Sequence, residues 1–173
     1  VDLSSGSSLT SQTFGSGEGG RVAITSKSVE LNEGANINVS SFGGGRGGDI
    51  VLNVQTMSLS GGGTITSLTN LFVPGAPAGG TITVQGLGVA GSKADSLTLG
   101  QGSGIISRAF GEGRLGDVVV RSKTVSLTDG AVIKVGDQTD PGTAGNVTID
   151  ADSVGISGGS SISSQAFAAD AGQ

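Results

Sequence analysis

Gly20-Arg21-Val22-Ala23-Ile24-Thr25-Ser26-Lys27-Ser28-Val29-Glu30-Leu31-Asn32-Glu33-Gly34-Ala35-Asn36-Ile37-Asn38-Val39-Ser40-Ser41-Phe42 is built from short apolar residues set two apart and punctuated by glycine. Val22/Ile24 and Val29/Leu31 alternate with polar neighbours, and Ile37 follows Gly34 by three residues. Alternation with a period of two marks half-buried strands, and the apolar residues are mostly of the β-branched kind that strands favour. No window of helical periodicity competes with it.

The same pattern recurs along the chain. Copies start at Gly20, Gly48, Gly80, Gly116 and Gly145, after a partial copy in residues 1–19, and Gly172 stands where another would begin. The opening apolar pair is Val22/Ile24, Ile50/Leu52, Ile82/Val84, Val118/Val120 and Val147/Ile149. The second pair is Val1/Leu3, Val29/Leu31, Met57/Leu59, Leu97/Leu99, Val125/Leu127 and Val154/Ile156. Three residues on comes glycine (Gly6, Gly34, Gly62, Gly102, Gly130, Gly159), and three further an aliphatic (Leu9, Ile37, Ile65, Ile105, Ile133, Ile162). At 35% hydrophobic content, six hits in one column have a chance probability of roughly 0.002, and several columns agree.

A unit of this size cannot bury its own apolar face, and no strand pair carries a two-residue hairpin signal. Stacking the copies answers both constraints. Each strand then pairs in parallel with its equivalent in the next coil, and the aliphatics form inner ladders. The fold expected for residues 1–173 is therefore a single all-β segment. It is a right-handed parallel β-helix (β-solenoid) with three short strands per turn and about 5–6 turns. The Gly6-to-Gly159 column is expected to turn with φ > 0. Phe14, Phe42, Phe110 and Phe167, five residues after the aliphatic column, are expected to stack as an internal core ladder, with Phe72 shifted and Gln138 replacing the ring in one copy.

Composition removes several function classes. The chain has no cysteine, histidine, tryptophan or tyrosine. A disulfide framework, a Cys/His zinc site and a histidine-based triad are thereby excluded. Only 3% of residues are aromatic and the net charge is −5, which argues against nucleic acid as partner. No apolar run is long enough for a helical membrane span, and Val1-Asp2-Leu3-Ser4-Ser5 does not read as a signal peptide.

Local motifs add little chemistry. Gly44-Gly45-Arg46-Gly47-Gly48-Asp49-Ile50-Val51 matches a calcium-binding nonapeptide in letters, but the repeat is near 28 residues and the Asp49 column reads Arg21, Asp49, Thr81, Asp117, Asn146. Asp137, Asp140, Asp150 and Asp152 read as a solvated acidic corner. Thr64-Ile65-Thr66 and Thr81-Ile82-Thr83 fall in different columns, so no flat threonine array of the ice-binding kind is expected. No carboxylate cluster suited to glycan cleavage emerges. The expected chain is non-enzymatic, with no catalytic residue, cofactor or metal site. Residues 85–96 and 68–79 are insertions that lengthen corners, and Leu71, Phe72 and Val73 in the second form a possible contact loop.

The unit carried by Gly20–Ile24, Ser28–Ile37 and Phe42–Gly45, and again by Gly145–Ala151 and Ser160–Ser164, resembles the repeats of filamentous-haemagglutinin-like exoproteins. These leave the cell by two-partner secretion and are frequent among large repetitive cyanobacterial surface proteins. The likeness runs the length of the chain. It implies an extracellular or cell-surface location and a structural shaft, adhesin-like in role, forming part of a longer chain. Partners implied are end-to-end neighbours of the same solenoid and a host-cell, glycan or matrix surface, without membrane insertion. Two other readings stand beside it: a subunit stacking end to end into an extracellular filament or matrix fibre, and a carbohydrate-binding or -cleaving β-helix.

Overall fold

In a computed structural model of the chain, every strand pair is parallel and every pair joins residues about one repeat apart. The structure describes residues 1–43, 45–71, 79–111, 113–136 and 143–166, with positions 70, 71 and 111 described in backbone only. Its strands are β1 (Asp2–Leu3), β2 (Ser8–Thr13), β3 (Val22–Leu31), β4 (Asn36–Ser41), β5 (Ile50–Leu59), β6 (Thr64–Leu71), β7 (Ile82–Gln85), β8 (Ala94–Leu99), β9 (Gly104–Gly111), β10 (Val118–Leu127), β11 (Val132–Val135), β12 (Val147–Ile156) and β13 (Ser161–Ser164). One sheet runs β1-β3-β5-β7-β10-β12, with β8 between β5 and β10 beside β7. The other runs β2-β4-β6-β9-β11-β13. Among the described residues there is no helix. The chain is a β-solenoid: a partial coil, β1–β2, followed by five coils.

The repeat columns are the stacking register. Leu9, Ile37, Ile65, Ile105, Ile133 and Ile162 are successive partners in the second sheet. Ile37, Ile65, Ile105 and Ile133 have no exposed surface, whereas Leu9 and Ile162, in the outer coils, are partly open. In the first sheet Leu31, Leu59, Leu99 and Leu127 are buried in the same way. Each fully buried aliphatic contributes about 1.5–3 kcal/mol, so these ladders drive the stacking.

The three strands expected per turn differ in one respect. In four coils the first two are continuous as a ten-residue strand, β3, β5, β10 or β12. No glycine or proline interrupts Thr25-Ser26-Lys27-Ser28, so nothing breaks the ladder. The bend is seen instead in the faces: Val22 and Ile24 point inward, then Val29 and Leu31, so the inward set changes parity across Lys27. The pairing skips Lys27/Gln55 and Lys123/Asp152 at that corner.

The next corner is a two-residue turn in every coil. Ser5-Gly6, Glu33-Gly34, Gly61-Gly62, Gln101-Gly102, Asp129-Gly130 and Gly158-Gly159 all have positive φ at both residues, as a type I′ turn requires. The i-to-i+3 bond closes each one: Ala35 N–H donates to Asn32 O at 3.1 Å and Ala131 N–H to Thr128 O at 3.2 Å. The turns also bond to one another, Gly34 N–H to Gly61 O at 2.8 Å and Gly102 N–H to Asp129 O at 2.9 Å. The expected φ > 0 holds at the glycine column. The left-handed residue before it, which is Ser5, Glu33, Gln101 or Asp129 in four coils, was not foreseen from the repeat.

At the corner that begins each copy, glycine serves another need. A Cβ on Gly48 would run into Gly20 O, on Gly80 into Gly48 O, on Gly116 into Gly80 O and on Gly145 into Gly116 O. The backbones are stacked too closely there for any side chain. Ser67 and Ser164 on the facing sheet satisfy two of these carbonyls, Ser67 Oγ donating to Gly48 O at 3.2 Å and Ser164 Oγ to Gly145 O at 2.6 Å.

Candidate functional surface

With the core filled by side chains, whatever this chain recognises must be met on its outer walls. On the second sheet Ile37, Val39 and Ser41 point inward, so Asn36, Asn38, Ser40 and then Phe42 lie on the outward parity. Stacking in register gives outward rows Ser8/Thr10/Gln12, Asn36/Asn38/Ser40, Thr64/Thr66/Leu68 and Gly104/Ile106/Arg108. The first rows are uncharged hydroxyls and amides; the later ones turn apolar and cationic, ending with Val132 and Lys134.

The phenylalanines belong to this outer wall, which corrects the expectation of an internal ladder. Phe14 is 74% exposed, Phe42 38% and Phe110 40%. They follow the inward aliphatic by five residues, an odd number, and in an extended strand an odd step changes face. Phe14 and Phe42 do stack, with centroids 5.3 Å apart and planes 15° from parallel. Asn70 takes the next place in the column and Phe110 follows it. Arg108 lies with its guanidinium carbon 5.6 Å from the Phe110 ring centroid. Phe167 lies outside the described residues.

The outer wall of the first sheet spends its polar groups on neighbouring coils. Asn53 Nδ2 donates to Thr25 Oγ1 at 3.3 Å, and Gln85 Nε2 to Asn53 Oδ1 at 2.9 Å. At the bend, Gln55 Nε2 and Lys123 Nζ both donate to Asp95, at 3.0 and 2.6 Å. The Lys123 hydrogen bond, with that of Gln55, holds the Asp95 carboxyl below its ordinary value, and Lys123 is raised in turn by Asp95.

Two Arg–Asp pairs sit at the glycine corner. Arg46 forks onto Asp49 with both bonds at 3.1 Å, while Asp49 Oδ1 also accepts the Thr81 N–H of the next coil at 2.8 Å. The hydrogen bond to Asp49 raises the Arg46 pKa. Arg114 and Asp117 repeat the device, Asp117 Oδ1 accepting from Arg114 at 2.7 Å and from Asn146 N–H at 2.7 Å. The Asp49 carboxylate in the nonapeptide-like string is thus engaged by protein donors. Among the described residues no three potential metal-ligating side chains converge.

Of the possible contact loop, Leu71 closes β6, described in backbone only, and Phe72 and Val73 lie outside the described residues, as do Asp137 and Asp140. The other insertion is described. Gln85 belongs to β7 and Ala94–Ser96 to β8, so the loop proper is residues 86–93. Its Leu87 and Val89 are 40% and 83% exposed. Neither falls in a repeat column, so the repeat does not mark them. Asp150 and Asp152, read as a solvated corner, are partners of Lys93 at 2.9 and 2.7 Å.

No protein-family model, curated protein or solved structure matches the chain.

Proposed function

We propose that the chain is a non-enzymatic structural shaft, one segment of a secreted, cell-surface β-solenoid with an adhesin-like role. The observation that carries the reading is the use of side chains. Inside, aliphatics stack in register through successive coils. Outside, the carboxylates of Asp49, Asp95 and Asp117 bind backbone amides or side chains of adjacent coils. Such an arrangement makes a stiff rod whose walls are free for display. Intact producing cells treated with a membrane-impermeant amine reagent test the location. Label on this chain, at exposed lysines such as Lys27, is the expected result, and label appearing only after lysis overturns it.

A further inference from the structure

Val84 registers with Val120 and Ala94 with Ser122. The third coil therefore carries residues 85–93 where β10 has only Arg121. The extra loop is closed on itself: Gly86 N–H donates to Ser92 O at 2.8 Å, Ser92 N–H to Val89 O at 3.0 Å, and Gly91 N–H to Gln85 Oε1 at 3.1 Å. Lys93 stands at its exit. Its ammonium lies 2.9 Å from Asp150 Oδ1 and 2.7 Å from Asp152 Oδ1, and both aspartates belong to β12. In the sheet β10 separates β8 from β12. Lys93 thus reaches past the fourth coil to bind the fifth.

A solenoid is otherwise a nearest-neighbour assembly, in which an outer coil can peel away at the cost of one interface. The remaining polar contacts at this corner obey that rule, since Gln55, Asp95 and Lys123 link adjacent coils. Lys93 breaks it. We propose that the 86–93 loop is a brace fastening the fifth coil to the third, so that the fifth coil cannot peel away at the cost of its one interface with the fourth. The groups facing the brace are consistent with the latch: Arg121 is in register with Asp150, and Lys123 adds its field at Asp152. The brace also acts where burial is thinnest, because β12 has no buried position, against five in β10.

Native-state hydrogen exchange on the intact chain tests it. Lys93→Met, which keeps the stem and removes the charge, should speed exchange of the β12 amides bonded to β10 by about two- to fivefold, the scale of surface ion pairs sharing one ammonium. The β3 amides, remote from the brace, should not change. Lys93→Arg should restore the wild-type rate. Salt at about 0.5 M should bring the wild type toward Lys93→Met while leaving that variant nearly unmoved. Unaltered β12 exchange in Lys93→Met, or Lys93→Arg exchanging as fast as Lys93→Met, overturns the proposal.

Discussion

Gly34 and Gly80 are both invariant features of the repeat, and they are glycine for unrelated reasons. Gly34 turns the chain with φ of 74°, and a Cβ there would meet nothing within 4 Å. Gly80 has no unusual φ, yet a Cβ there would occupy the place of the Gly48 backbone. One corner needs a conformation; the other needs empty space. A column of glycines in a repeat therefore does not by itself say which constraint is in force, and the two should respond oppositely to chemistry.

The largest effect is expected at the crowded corner. Gly80→Ala would have to displace the Gly47–Gly48 backbone, which should cost about 3 kcal/mol or more, visible as a lowered denaturant midpoint. Ile133→Asp sets the scale: a lone carboxylate in a fully buried ladder position should destabilise by several kcal/mol, while Ser126→Asp on an outward position should be nearly silent. Equal effects from the two aspartates would contradict the register.

At the open corner the cost should be smaller and its sign adjustable. Gly34→Ala should lose about 1 kcal/mol, because an L-residue is strained in the left-handed region but has room. A D-alanine at Gly34, introduced by ligation, should be neutral or stabilising. An unrelieved loss with D-alanine at Gly34 would contradict the left-handed assignment of that corner. Asp129→Asn should be smaller still, a gain of a few tenths of a kcal/mol by placing a residue more tolerant of positive φ at the turn.

The weakest expected effect is that of pH on the bend. Asp95 is held below its ordinary value of 3.8, so its contribution is present above that value and is lost as pH falls through its depressed folded value. Lys93 and Lys123 are raised above 10.5, so their contribution is complete below that value and fades as pH rises through the folded one. Asp95, Lys93 and Lys123 should thus leave stability flat from about pH 5 to 9. A titrating step inside that window, followed by thermal unfolding, would contradict the assignment.

Much of the architecture could be read without coordinates, because stacking in register writes the same side-chain demand into each copy. The Ile37-to-Ile133 ladder and the left-handed glycine of each I′ turn are legible for that reason. The face of Phe42 was legible too, but only by counting parity from Ile37, since aromatic character alone suggests core. The run-on of two expected strands into β3 was harder, because a bend made by a parity change at Thr25-Ser26-Lys27-Ser28 leaves no glycine or proline as punctuation. The Lys93 latch was not legible at all. It joins residues far apart in sequence through one insertion that appears in one coil, so no column repeats it.

The closely spaced glycine backbones have a genetic corollary. Because every coil begins and ends on the same bare junction, removing or duplicating one whole repeat should rejoin compatible surfaces. Recombination that shifts the boundary by a few codons would set a side chain against a carbonyl and be purged. Length in such a gene should therefore drift in whole quanta.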